Sequence, residues 1–219
     1  MAAGKVTTGF SMPHVALYNE AGGTVTYSQG RQLARGVSVS IEPETGDDNT
    51  FYADNVAAEE TQGTFTGGTM TLTVDGLFAE TEAMIYGLPT PEEITVGEST
   101  VNVYSYGDAV SIPYVGIGVV VRQQSAGVVT YAPVVLTKAR FQTPGTEAAT
   151  QEENIEWQTQ ELTASLFRDD TENHNWKKIG ADQASEAAAV AVIKALLNIT
   201  DEAVETTGDE AVETTGQEE

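Results

Sequence analysis

Apolar and polar residues alternate with a period of two through most of this chain. In "GVSVSIE", Val37, Val39 and Ile41 share one face while Ser38, Ser40 and Glu42 share the other. In "TMTLTVDG", Met70, Leu72 and Val74 stand opposite Thr69, Thr71 and Thr73. Successive side chains of a strand point to opposite faces, so both segments are predicted to be half-buried antiparallel strands. "VNVYSYGD" and "YVGIGVVVRQQ" continue the pattern, and "SAG" at Ser125 to Gly127 predicts a tight hairpin into "VVTYAPVVLTKARF". Pro133 interrupts that return strand and, having no N–H to donate, belongs at an edge or a bulge. "IEWQTQELTASLFRD" changes parity: Ile155 and Trp157 share one face, whereas Leu162, Ala164 and Leu166 take the opposite register. A bulge near Thr159 to Glu161, or a strand bending from one sheet into another, accounts for the switch.

Two segments carry helical spacing instead. "LFAETEAMIYGLP" sets Leu77, Met84, Ile85 and Leu88 on one stripe, with Gly87 and Pro89 as stop signals, and predicts a short helix over an open end of the sheets. "DQASEAAAVAVIKALLN" predicts a helix over about 182–198 with Asp182 as its cap. It is apolar almost all round from Ala187 to Leu197, which requires burial by the body or by a neighbour and favours a seam between subunits. Eight or nine strands with two helices define the expected fold class: mainly β, an antiparallel β-sandwich with one or two flanking α-helices.

The chain of 219 residues suits one domain with an appendage. The appendage is "DEAVETTGDEAVETTG" followed by "QEE", residues 201–219, an eight-residue unit occurring twice with eight acids and no base. Low apolar content and uniform charge predict a disordered acidic tail behind a β-sandwich domain at 1–200. There is no cysteine, so disulfides, thiolate metal sites and a Cys nucleophile are excluded. The first twenty residues lack the apolar run of a secretory signal and no stretch approaches a membrane span, so a soluble protein is expected. Net charge is −23, of which −15 remains on residues 1–200. That balance disfavours gripping nucleic acid or anionic lipid, yet suits a surface that a polyanion must pass without sticking.

Candidate chemistry is sparse. No G-x-S-x-G elbow occurs, and the two histidines, His14 and His174, are expected at the surface. "YVGIGV" offers Gly116 and Gly118, but Val121 stands where the third glycine of a dinucleotide fingerprint belongs, so close packing is the better account of the pair. Glu42, Glu44, Asp47 and Asp48 in "EPETGDDN" do not match EF-hand spacing and read as a solvated acidic turn. Aromatics are too scattered to line a glycan cleft between paired acids, and "NIT" at Asn198 is a glycosylation sequon only in a secreted protein. No cofactor, metal site or catalytic residue is expected. One feature resists a bland reading: "FYADN", Phe51 to Asn55, sets adjacent aromatics within the acidic stretch "IEPETGDDNTFYADNVAAEE".

Several segments in series resemble the major tail proteins of long-tailed, non-contractile bacteriophages. They are "HVALYNEAGGTVTYSQGRQLARGVSVSIEPE", "FYADNVAAE", "GGTMTLTVDGL", "IPYVGIGVVVR", "VVLTKARF" and "IEWQTQELTASLFRD", spanning Pro13 to Asp170. The family commonly has a proline after "EWQT", where this chain has Gln160, and the duplicated tail lies outside the resemblance. The resemblance implies a β-sandwich subunit without catalytic residues or cofactors. Copies would be made in the host cytoplasm and associate into hexameric rings stacked as the virion's tail tube, beside other tail proteins, with DNA leaving through the lumen. It also implies a long loop reaching a neighbouring subunit or ring. Phe51 and Tyr52 are then candidate anchors of an intersubunit contact, with Asp54 and Asn55 fixing the turn by side-chain hydrogen bonds. The competing expectation is that the pair folds back as a lid on its own sandwich. A monomeric β-sandwich adhesion or virion decoration module is the alternative function.

Overall fold

The computed structural model describes residues 4–108, 110–146, 150 and 157–200. The duplicated acidic tail and Ile155 lie outside these described residues. The chain runs β1 (Val6–Ala21), β2 (Thr24–Gln32), β3 (Gly36–Thr45), β4 (Asn49–Ala53), β5 (Val56–Thr61), β6 (Phe65–Val74), α1 (Ala79–Tyr86), β7 (Glu92–Val96) and β8 (Ser99–Val103). It continues through β9 (Val115–Ser125), β10 (Val128–Phe141), β11 (Gln160–Phe167), β12 (Lys177–Ile179) and α2 (Glu186–Leu196). All strand pairings are antiparallel, and the main sheet follows the order β2-β1-β9-β10-β11-β6-β3, with β12 on β10.

This hydrogen-bonded path folds over on itself into two layers. A register shift between Leu136 and Ala139 bends β10, whose far half, Lys138 to Phe141, pairs with Phe167 to Ala164 of β11 while its near half pairs with β12. Between β2-β1-β9-β10 and β11-β6-β3 lie Val15, Ile117, Val119, Val134 and Leu136 facing Met70, Leu72, Val74, Leu162 and Leu166. All of these are buried, as the period-two pattern predicts for the "TMTLTVDG" and "LTASLF" strands. α1 closes one end with Met84, Ile85 and Tyr86, and Gly87 terminates it at φ 64, its N–H bonded to Met84 O while Leu88 N–H reaches Ala83 O. The "SAG" hairpin forms as read, with Ala126 at φ 48 and Gly127 at φ 82. Opposite Pro133 the partner chain holds one extra residue between the Val134–Ile179 pair and the Tyr131–Gln183 bridge, so the missing donor falls at a bulge.

Several expectations are corrected. Val37 is exposed because a register shift between Gly36 and Ser38 turns it out of the alternation that Val39 and Ile41 keep. β11 starts only at Gln160 and has no register shift against β6, so the parity switch marks the start of the strand; Trp157 is exposed. Gln160, at the position where proline is common in the resembling family, accepts a hydrogen bond from Leu77 N–H at 3.1 Å. His14 is buried, since β1 already begins at Val6 and carries it on the same face as Ala16, with Nδ1 2.7 Å from Met12 O. His174 is exposed, as expected. Ser185, not Asp182, caps α2, its hydroxyl accepting from Ala188 N–H at 3.2 Å; Asp182 instead pairs with Lys5.

α2 covers the outer face of its own sheet rather than waiting for a neighbour. Ala189, Val190, Ile193 and Leu197 pack on Ala16, Tyr27, Val120 and Val135, leaving Ala187, Ala191 and Ala195 outward. Gly116 and Gly118 permit the close approach. A Cβ on Gly118 would lie 2.2 Å from Ile193 Cγ2, and one on Gly116 2.4 Å from the Tyr27 ring. The pair therefore serves helix-on-sheet packing.

Candidate assembly surfaces

The stretch read as an acidic loop is a two-stranded arm. β4 and β5 pair only with each other, in register Ala53 to Val56 at the tip and Asn49 to Thr61 at the base. Asp54 and Asn55 form the turn at φ 51 and φ 63, the left-handed pair of a two-residue hairpin that short polar side chains tolerate. They fix the turn through backbone conformation; among the described residues neither side chain makes a hydrogen bond. At the base Gly46 N–H bonds to Thr64 O at 2.9 Å, and Asp48 Oδ1 accepts from Gly63 N–H at 2.7 Å. A Cβ on Gly63 would fall 1.7 Å from Gly46 O, so the two chains cross backbone on backbone where the arm leaves the sandwich.

Phe51 and Tyr52 are 65% and 64% exposed, and Val56 is 66% exposed. The lid expectation is thereby overturned: neither ring lies on the sandwich. A lone two-stranded hairpin has too few tertiary contacts to hold its own shape well in water.

A second arm escaped the sequence reading. β7 and β8 pair from Glu92–Val103 to Val96–Ser99 around Gly97 at φ 64, and every residue of both strands is exposed. The register puts Ile94, Val96, Val101 and Val103 on one face and Glu93, Thr95, Thr100 and Asn102 on the other. "VNVYSYGD" therefore yields only half a hairpin strand, ending at Val103. The signal that finds its partner is the alternation on both sides of "GE" in "EITVGESTVNV".

The outer face of β3-β6-β11 is made of hydroxyls and carboxylates. Cross-strand register aligns three rows: Ser38–Thr73–Glu161, Ser40–Thr71–Thr163 and Glu42–Thr69–Ser165. Ser38 Oγ donates to Thr73 Oγ1 at 3.0 Å. Charge is segregated to match, because residues 36–121 hold fourteen acids and no lysine or arginine. This segment contains β3, both arms, β6 and α1.

Two cations border this face on β10, where Arg140 pairs with Ser165 and Lys138 with Phe167. On the outer side of β10, Lys138 lies over the rings of Tyr18 and Tyr114 at 4.9 and 4.6 Å, and Arg140 over those of Tyr114 and Phe167 at 5.5 and 5.7 Å. Tyr114 meets Phe167 edge to face at 5.4 Å. Asp170 binds Lys138 Nζ at 2.5 Å and the Tyr18 hydroxyl at 2.7 Å. These bonds, Lys138 first, hold its carboxyl below the ordinary carboxylate range, while burial and then Asp170 push the Tyr18 phenol up.

No protein-family model matches the chain, and no curated protein does. A polar groove of about 660 Å³ beside α1, lined by Asp75, Glu82, Tyr86, Gln142 and Gln160, contains no histidine and no lysine. Glu42, Glu44, Asp47 and Asp48 do not converge, and no group of three His, Asp or Glu among the described residues is placed to hold a metal. Nor is any helix among them long and apolar enough to cross a membrane.

Proposed function

We propose that this chain is a structural subunit that assembles with copies of itself, the major tail-tube protein of a long-tailed, non-contractile bacteriophage. Six copies form a ring, rings stack beside other tail proteins, and DNA passes through the lumen. The observation that carries this reading is the β4-β5 arm, which places Phe51, Tyr52 and Val56 in solvent with no core of its own to bury them. Large aromatics on a projecting element concentrate binding energy once a partner covers them. The ordered series of family-like segments supports a tail tube as the assembly.

The hydroxyl and carboxylate face of β3-β6-β11 suits the channel wall. Its three strands hold no lysine or arginine to grip a phosphate backbone that carries roughly one charge per 1.7 Å of duplex, and Arg140 of β10, opposite Ser165, stands only at its border. Six bodies at −15 each would surround the DNA with about 90 negative charges, a field that discourages adhesion.

The test is electron microscopy and sedimentation of the purified protein over rising concentration, for the parent and for Phe51→Ala with Tyr52→Ala. The parent is expected to form rings or tubes, and the variant to stay monomeric with an unchanged melting temperature, because both side chains lie outside the core. A lowered melting temperature with intact polymerisation would refute the anchor role. A parent that remains monomeric at all concentrations, and is absent from the tail shaft of virions, points instead to the decoration module.

A further inference from the structure

We propose that the β4-β5 arm of one copy docks on the Arg140 patch of the next, its Glu59 carboxylate meeting the guanidinium and its Phe51 ring lying against Tyr114 and Phe167. This rests on the self-assembly reading above and names the two surfaces that meet.

The distribution of charge carries the argument. All ten lysines and arginines of the chain lie in residues 1–35 and 122–200, and none lies between Arg35 and Arg122. Each copy therefore has one strongly acidic region, bearing both arms, and one region in which all ten bases nearly balance eleven acids. A two-fold contact that set arm against arm would bring Asp47, Asp48, Asp54, Glu59 and Glu60 against their own copies, and like charges at close range suppress such pairing. The favourable contact joins unlike surfaces. Repeated head to tail, such a contact closes into a ring or grows into a filament, and does not stop at a dimer.

Within the cationic region, Arg140 is the best-formed acceptor. It is exposed, and its guanidinium is stacked on Tyr114 and Phe167, which leaves its edge donors directed away from the rings. Lys138 beside it is already paired with Asp170, whereas among the described residues no carboxylate forms an ion pair with Arg140. The arm offers the complementary chemistry, with Glu59 paired across from Phe51 so that carboxylate and ring share one face. From Asp47 to the Asp54 turn the strand extends about 23 Å at roughly 3.3 Å per residue, which is more than the ~10 Å between the layers of a sandwich. The arm thus reaches well onto an adjoining molecule.

The test is a charge-swap cycle on the full chain. Arg140→Glu alone, and Glu59→Lys with Glu60→Lys alone, should each raise the concentration needed for rings or tubes at least tenfold at low salt. The three substitutions together should return it to within about threefold of the parent, and added salt should weaken parent assembly progressively. Because the chain has no cysteine, Glu59→Cys and Arg140→Cys proteins mixed under oxidation give a second readout: a disulfide-linked heterodimer in excess of either homodimer. The Glu59 and Glu60 changes lie on an arm outside the core, so they keep the test valid should Arg140→Glu fail to fold. Parent-like assembly of both single-site variants, or loss without rescue in the combined one, overturns the docking while leaving the tube reading intact. A parent that never self-associates overturns both.

Discussion

Gly118 shows how one missing methyl group sets the relation between two elements. Its Cα faces α2 so closely that an added Cβ would meet Ile193 Cγ2 at 2.2 Å and Leu197 Cδ1 at 3.3 Å. Gly118→Ala is expected to lift α2 and destabilise the domain by about 1–3 kcal/mol, the usual range for overpacking; urea denaturation followed by circular dichroism measures it. Asp170 gives a pH signature of definite sign. Its folded-state carboxyl is held low by Lys138 and then Tyr18, so the stability it contributes is complete above the unfolded value of about 3.9. That contribution is lost as pH falls through the lowered folded value. Melting curves below about pH 4 should therefore fall less steeply for Asp170→Asn than for the parent. No local pattern announces this cluster, because Tyr18, Tyr114, Lys138 and Asp170 are scattered along the chain and meet only when β1, β10 and the end of β11 are side by side.

Strands and helices differ in how openly the sequence declares them. Where one face is buried and the other wet, as at Met70, Leu72 and Val74, alternation alone specifies strand and orientation. Gly87 and the "SAG" turn punctuate their elements through backbone conformations that few residues accept. Both arms, by contrast, lie outside any core, so no buried face reports their register. The β4-β5 arm reads as a loop because its turn is Asp54–Asn55 and its flanks are acidic. The β7-β8 arm is predicted to be a second assembly element. Ile94→Ser with Val101→Ser should leave thermal unfolding within about 0.5 kcal/mol of the parent, as for other exposed substitutions, yet reduce the yield of tubes seen by electron microscopy. Unaltered tube yield would remove this arm from the assembly scheme.

The whole molecule divides its labour by layer. β2-β1-β9-β10, with α2 on its back, carries most of the cations; β11-β6-β3, with both arms and α1, carries most of the acids of residues 1–200, and Phe167 of β11 meets Arg140 where the two join. Composition reveals the excess of acid, but only the topology shows that β3, β6 and both arms, which lie in the stretch without a base, are gathered on one side of the core, while β9 at its end joins the other layer. The charge-swap cycle addresses this division directly, since it exchanges the sign of two surfaces without touching the hydrophobic interior.

β3 forms an open margin of the main sheet, and its register breaks near both ends, between Gly36 and Ser38 and again between Glu44 and Thr45. Pro43 sits within it, between Glu42 and Glu44. Kinks, a ring without a donor and paired like charges make this border a poor template for an incoming strand. Crowded copies are thereby hindered from the runaway cross-β stacking that ends in amyloid.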